Sequence, residues 1–115
     1  MGISVAGGDG QDQVTLQLVL NRLDFGMSAA DAVTAPRFQT AHFVGSFGQA
    51  PPKLGSMMLQ AEIDEKVYEE LASRGHRVSR TRAPVWHPVM ITLDPATGGL
   101  EAAGDPKARR HAAAY

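Results

Sequence analysis

A pair of glycines near the start of the chain is the feature whose residue types and spacing favour chemistry. Gly7 and Gly8 follow an apolar run over residues 3–6 and precede a strongly periodic segment. Adjacent glycines admit backbone conformations closed to other residues, and no side chain shields their N–H groups. At a strand-to-helix junction such donors can face a negatively charged oxygen. The pair predicts either an oxyanion-binding turn or a plain tight turn before a helix.

The helix that follows the glycines must position them. Residues 3–6 are typical of a strand end, and a helix is predicted over residues 11–24. Asp9 is placed to cap the start of this helix, and Gly26 is suited to end it. The apolar residues of the helix recur at helical spacing and form one wide face: Leu16, Val19, Leu20 and Leu23, widened by Val14 and Leu18.

The remainder of the chain alternates between helices and strands. Ser28 and Asp31 form a capping-box pattern that opens a short second helix, which Pro36 ends. A third helix is predicted from Asp64 to Gly75. The other predicted segments are strands at residues 37–44, 57–63, 77–81, 89–93 and 100–103, a loop at 45–55, a hairpin turn at 94–99, a strand-terminating turn at Asp105-Pro106, and a loosely ordered tail at 107–115. This order predicts an α+β domain.

Composition excludes several classes of function. The 115 residues suffice for one small domain, and a net charge of −1 favours neither nucleic acid nor an anionic membrane as partner. The absence of cysteine excludes disulfides and thiolate sites, and no apolar run is long enough to span a bilayer. The four histidines lack the spacing of metal ligands, so no metal site is expected: His42, His76, His87 and His111.

Several segments, in order, carry a resemblance to a known family. After the glycine pair come residues 14–21 (VTLQLVLN), 23–27 (LDFGM) and 28–38 (SAADAVTAPRF). Residues 71–78 (LASRGHRV) and 103–107 (AGDPK) follow, and Tyr115 closes the chain. This succession resembles the C-terminal part of the small subunit of gamma-glutamyltransferase, also called gamma-glutamyltranspeptidase. The resemblance covers nearly the whole chain.

The resemblance implies a fold and a mechanism. The fold would be part of the αββα sandwich of the N-terminal-nucleophile hydrolases. Members of the family are precursors that cut themselves, which frees a threonine nucleophile at the N-terminus of the small subunit. No position in this sequence matches that threonine. Residues 1–115 are therefore expected to be a C-terminal fragment of the small subunit that is inactive alone and needs no cofactor.

The resemblance also assigns roles to residues of the glycine turn. Gly7 and Gly8 would supply the backbone amides that stabilise the oxyanion. The family tends to place a hydroxyl residue and then arginine after the pair, whereas this chain has Asp9 and Gly10. The Gly-Gly-Asp order looks more like the broader group that includes acylases of other amides. Asp9 is accordingly a candidate substrate-binding residue as well as a helix cap, and glutamyl specificity stays open.

Partners and alternatives follow from the same reasoning. The expected partners are the missing N-terminal part of the small subunit, the large subunit and a small gamma-glutamyl or amide substrate. A fragment should expose a broad apolar patch and could self-associate. One alternative is an acylase of non-glutamyl amides, which shares the fold. The other is a non-catalytic interaction domain with a purely structural glycine turn, which should be monomeric and unfold cooperatively.

Overall fold

The computed structural model describes residues 1–113, so Tyr115, which contributes to the family resemblance, lies outside the described residues. Helices and strands alternate as an α+β chain, which confirms the predicted class. The helices are α1 (Gln11–Leu23), α2 (Ala29–Thr34) and α3 (Glu65–Ser73), followed by a short 3₁₀ helix, Pro106–Ala108. The strands are β1 (Gly2–Ala6), β2 (Phe38–Gln39), β3 (Ser56–Gln60), β4 (Arg77–Thr81), β5 (His87–Leu93) and β6 (Leu100–Gly104).

The strands form two three-stranded sheets. In the first sheet β5 lies between β1 and β6, and both pairings are antiparallel. Its register places Ala6, the last residue of β1, opposite His87, the first residue of β5. In the second sheet β3 pairs antiparallel with β2 and parallel with β4, and α3 makes the crossover between β3 and β4. The register of the first sheet brings residue 86 close to the glycine turn.

The buried core belongs to the first sheet and the two helices beside it. Eight residues from β1, α1, α2, β5 and the segment before β5 make up the main cluster: Val5, Val14, Leu18, Ala29, Ala32, Val33, Val85 and Met90. By contrast, no residue of α3 is fully buried. The element that carries the glycine turn is therefore anchored in the core, while α3 lies at the periphery.

The buried side of α1 is not the side that the spacing of its apolar residues predicts. Val14 and Leu18, which were expected only to widen the apolar face, are fully buried against β1 and α2. Leu16, Leu20 and Leu23, which were expected to form its centre, are exposed. The expectation was wrong about the side because apolar residues occur on both sides of the helix, and periodicity does not say which side the sheet covers.

The strand predicted over residues 37–44 is also shorter than expected. Only Phe38–Gln39 pairs with β3, and a long loop, the β2–β3 loop (residues 40–55), follows. Side chains take the place of a neighbouring strand there: the Thr40 N–H donates to Gln13 Oε1 at 2.8 Å and the Ala41 N–H to Ser56 Oγ at 3.0 Å. The capping prediction at Ser28 is confirmed, since its side chain accepts a hydrogen bond from the Asp31 N–H. The third helix starts at Asp64 as predicted, and there the Asp64 side chain also accepts from the Lys66 N–H.

A buried ion pair joins the segment between α2 and β2 to the residue that follows β6. Arg37 and Asp105 are almost fully buried, and their guanidinium and carboxylate groups are in direct contact. The Arg37 Nε group also donates to the Val85 carbonyl at 3.0 Å. β6 ends just before Asp105, as predicted. The Asp105 side chain accepts from the Lys107 N–H at 2.9 Å and starts the 3₁₀ helix, which overlaps the beginning of the predicted loose tail. Arg37, held by Asp105, thus fixes the backbone just before residue 86 through its bond to Val85.

Candidate active site at the glycine turn

The glycine turn connects β1 to α1 over residues 7–10. Its own hydrogen bonds use carbonyl oxygens: Gly8 accepts from the Gln11 N–H and Gly10 accepts from the Val14 N–H, both at 3.0 Å. Within residues 1–113, the N–H groups of Gly7 and Gly8 donate no hydrogen bond. The structure therefore places the predicted pair at a strand-to-helix junction with two backbone donors free to meet a ligand.

Trp86 packs directly on this turn, and its position explains two of the glycines. A Cβ atom added to Gly7 would lie 2.3 Å from Trp86 Cε3, and one added to Gly10 would lie 1.6 Å from Trp86 Nε1. Such distances are far inside van der Waals contact. Gly7 and Gly10 are thus required by the indole ring, whatever the further role of their backbone groups.

Trp86 itself is held in an unusual state. Its φ angle is 58°, in the left-handed region that bulky residues rarely adopt and that costs about 1–3 kcal/mol. Its Nε1 atom is buried and has no hydrogen-bond partner in the described part of the chain. The backbone on both sides is fixed, since Arg37 binds the Val85 carbonyl and His87 enters the sheet. Sequence reasoning missed Trp86, whose one sequence signal is that it is the single tryptophan.

A cavity of about 370 Å³ opens beside the turn. One side is formed by the turn and Trp86, and the other by the β2–β3 loop. Aromatic and apolar side chains of that loop, including Phe43, Val44 and Phe47, make up much of its lining. The two predicted oxyanion donors and the candidate residue Asp9 therefore share one concave site.

Asp9 binds the β2–β3 loop instead of capping α1. Its Oδ2 atom accepts a hydrogen bond from the Ser46 N–H at 2.8 Å, whereas the N-cap of α1 is Gly10, which makes no side-chain cap. The predicted cap was wrong because Asp9 lies one residue before the N-cap, so its carboxylate is not directed at the first-turn amides. Hydrogen bonding by the Ser46 side chain, and then by its backbone N–H, lowers the pKa of the Asp9 carboxyl below its ordinary value. Asp9 does line the cavity. Its contact with substrate remains a prediction.

The histidines make local contacts at separate places. The His42 Nδ1 atom accepts from the Gly55 N–H at 3.1 Å, and the His87 Nδ1 atom lies 3.1 Å from the Ala108 carbonyl oxygen. In residues 1–113 no group of three or more His, Asp or Glu side chains is arranged to hold a metal ion. Among those same residues, no helix combines the length and apolar character needed to cross a bilayer.

Comparisons with known proteins show which family and fold the chain resembles. A family model described as Gamma-glutamyltranspeptidase matches residues 1–115. The structure of LmbA2991HD is 31% identical with a TM-score of 0.84, and the match covers 92% of this chain but 19% of that one. The search of curated proteins gave no match.

Two further solved structures share the fold at lower identity. Gamma-glutamyltranspeptidase from Pseudomonas nitroreducens, complexed with L-DON, is 23% identical with a TM-score of 0.77, over 98% of this chain and 54% of that one. Cephalosporin acylase from Bacillus halodurans is 24% identical with a TM-score of 0.76, over 91% of this chain and 18% of that one. These neighbours have the N-terminal-nucleophile hydrolase fold, which confirms the predicted fold class.

Proposed function

Because the chain belongs to the gamma-glutamyltranspeptidase family, we propose that it is the C-terminal portion of the small subunit of an acyl-transferring enzyme. The parent enzyme would transfer or hydrolyse gamma-glutamyl or related acyl groups through an acyl-threonine intermediate. The nucleophilic threonine lies in another part of the parent protein, so residues 1–115 alone are inactive. The reaction needs no cofactor.

The role of this chain in that reaction is to stabilise negative charge. When the threonine hydroxyl attacks the amide carbonyl, the carbonyl oxygen becomes an oxyanion in the tetrahedral intermediate. The N–H groups of Gly7 and Gly8 donate to it. A preorganised donor of this kind lowers the activation free energy by roughly 3 kcal/mol. The observation that carries the proposal is that both donors lack a partner within residues 1–113 and line a cavity.

The site is preorganised by contacts on both sides of the turn. Trp86 packs against Gly7 and Gly10, and the first turn of α1 holds the carbonyls of Gly8 and Gly10. Donors that are already fixed lose no energy to reorganisation when the oxyanion forms. The packing of Trp86 thus supports a catalytic use of the turn beyond a change of chain direction.

The outer side of α1 is the proposed contact with the rest of the parent. Leu16, Leu20, Phe25 and Phe38 line an open groove of about 360 Å³. Exposed apolar surface of this extent is typical of a surface that another part of an assembly covers. We propose that the missing N-terminal part of the small subunit, together with the large subunit, covers it. The isolated chain would then self-associate through this side.

An acylase of non-glutamyl amides is the second candidate. Asp9 stands where the transpeptidases tend to have a hydroxyl residue, and its carboxylate is engaged by Ser46. A carboxylate held by the protein is less available to bind the ammonium group of a glutamyl substrate. Both candidates use the same oxyanion site.

The first test uses the full reading frame of the parent gene. Expression of that protein should give self-cleavage into two chains, with threonine at the new N-terminus of the smaller one, detected by intact mass. Replacement of that threonine by alanine is the control and should abolish cleavage. Residues 1–115 expressed alone should not turn over gamma-glutamyl anilide. An uncut, inactive parent would overturn the enzyme proposal and favour the non-catalytic interaction domain.

A further inference from the structure

We propose that the cavity beside the glycine turn is a subsite for an aromatic ring of the amide substrate, walled by Phe43, Phe47 and Trp86. The proposal rests on the proposed function and adds the class of substrate. The three aromatic side chains line the same cavity as Gly7 and Gly8. A ring in this subsite would therefore lie close to the carbonyl group whose oxygen meets those N–H groups.

One wall of the subsite is rigid. The indole of Trp86 is in contact with Gly7 and Gly10, so the ring cannot approach the turn more closely. The buried ion pair of Arg37 and Asp105 and the hydrogen bond from Arg37 to Val85 fix the backbone before Trp86. A flat indole face held in this way offers a preformed surface against which another ring can pack.

The opposite wall is formed by Phe43 and Phe47 of the β2–β3 loop. Phe43 and Phe47 are 77% and 78% exposed, so both rings keep most of their surface free to contact a ligand. The loop is nevertheless closed by its own hydrogen bonds, from the Gly45 N–H to the Ala50 carbonyl at 2.9 Å and from the Lys53 N–H to the Ala41 carbonyl at 2.8 Å. The contact between Asp9 and Ser46 joins this loop to the glycine turn.

The polar groups of the lining are mostly used within the protein. The Gln13 amide binds both the N–H and the carbonyl of Thr40, and the Thr40 hydroxyl donates to the Ser56 carbonyl at 2.7 Å. Asp9 accepts from Ser46. A ligand therefore meets aromatic surface, the two glycine N–H groups and the side chains of Gln39 and Lys53. Aromatic surface beside backbone donors fits an aromatic ring attached to an amide.

The experiment measures binding to the full-length parent protein by ¹⁹F NMR. Two probes carry the ring on opposite sides of the amide: 4-fluoroacetanilide on the amine side and 4-fluorophenylacetamide on the acyl side. Fluoroacetamide, which has no ring, is the reference. We expect at least one ring-bearing probe to bind more tightly than fluoroacetamide. The probe that binds identifies whether the subsite takes the leaving group or the acyl group.

Variants of the loop separate this subsite from unspecific binding. Phe47→Ala should weaken binding of the ring-bearing probe roughly three- to tenfold, the range expected when one aromatic pair is lost. Leu54→Ala is the matched control, since Leu54 is an exposed apolar residue of the same loop that does not line the cavity. It should leave binding unchanged.

The outcomes distinguish the subsite from the proposed function. Equal binding of all three probes, or ring binding that survives Phe47→Ala, would overturn the subsite even in a parent that cleaves itself and turns over amides. Ring binding that depends on Phe47 in a parent that neither self-cleaves nor turns over amides would support the subsite and overturn the proposed function. Because the readout is binding, it does not require turnover.

Discussion

The two sides of helix α1 have similar sequences and opposite environments. On the inner side, Val14 and Leu18 have no exposed surface and pack against β1 and α2. On the outer side, Leu16 is 57% exposed and Leu23 is 67% exposed. A surface helix of a self-contained domain usually places polar residues on its outer side. The outer side of α1 instead exposes three leucines, Leu16, Leu20 and Leu23, beside polar residues.

The two sides of α1 therefore have different packing partners. The inner side is complete within residues 1–113, because sheet and helix residues cover it. The outer side continues into Phe25 and Phe38, which are also exposed, and so forms a patch larger than one helix face. An exposed apolar patch of this kind typically marks a surface that another part of an assembly covers. The comparison predicts large losses of stability for inner substitutions and small ones for outer substitutions.

The largest loss of unfolding free energy is expected when the buried ion pair of Arg37 with Asp105 is broken. Asp105→Asn removes the partner of the buried Arg37 guanidinium, and an uncompensated buried charge costs about 3–5 kcal/mol of unfolding free energy. Urea denaturation followed by circular dichroism measures it. The matched control is Glu70→Gln, which breaks the exposed ion pair of Glu70 with Arg74 and should cost at most about 0.5 kcal/mol. Equal costs for the two variants would show that the ion pair does not belong to the interior.

The two leucines one turn or less apart on α1 test the comparison most directly. Leu18→Ala leaves a cavity in the main core cluster and should reduce the unfolding free energy by about 2–5 kcal/mol. Leu16→Ala removes exposed surface and should change it by at most about 0.5 kcal/mol in the isolated chain. Both values come from urea denaturation of residues 1–115 at a protein concentration low enough to avoid association.

The stability effects of Leu16→Ala and Leu18→Ala should also be compared in the full-length parent. If another part of the parent covers the outer side, Leu16→Ala should there cost about as much as a core truncation, roughly 2 kcal/mol or more. Leu18→Ala should cost the same in both proteins. A Leu16→Ala effect that stays small in the full-length parent would argue that the outer side is not an interface.

Much of the fold could be predicted from sequence because its signals are local. The cap at Ser28, the helix start at Asp64 and the turn at residues 94–99 depend on side chains and backbone groups a few residues apart, and all three are found as predicted. The strand 77–81 is also found with the predicted bounds. What was predicted incorrectly is the buried side of α1, which depends on the distant strand β1 and not on the helix itself.

The candidate site could be predicted only in part for the same reason. Gly7 and Gly8 are visible in sequence because two glycines precede a helix, but their neighbour Trp86 is separated from them by most of the chain. The ion pair of Arg37 with Asp105 spans a similar distance in sequence and has no local signal. Asp9 has the residue type of a cap, yet Ser46, a residue in a distant loop, takes its carboxylate.

A smaller loss of unfolding free energy is expected at Gly10, where the glycine turn packs against Trp86. Gly10→Ala places a methyl group against the indole of Trp86 and should cost about 1–3 kcal/mol of unfolding free energy through overpacking. Gly8→Ala is the control, because its Cβ would approach only the outer edge of the exposed Phe47 ring, at 3.0 Å, and that side chain can move. Combining Gly10→Ala with Trp86→Ala should cost less than the sum of the two single substitutions. Strict additivity would contradict a direct contact.

The smallest effect is expected at the exposed contact between Asp9 and Ser46, which joins the turn to the β2–β3 loop. Because hydrogen bonding by the Ser46 side chain and backbone N–H lowers the pKa of Asp9, the contact is fully present above the ordinary carboxyl pKa and is lost as pH falls through the lowered value. An NMR titration should therefore show the Ser46 amide resonance shifting only in that acidic range. Asp9→Asn keeps an acceptor without a titrating charge, so the Ser46 shift should disappear while the titration of Asp94, whose pKa the Thr97 hydroxyl lowers, continues unchanged. A Ser46 titration that persists in Asp9→Asn would assign the pH dependence to another group and leave the loop without its charged connection to the glycine turn.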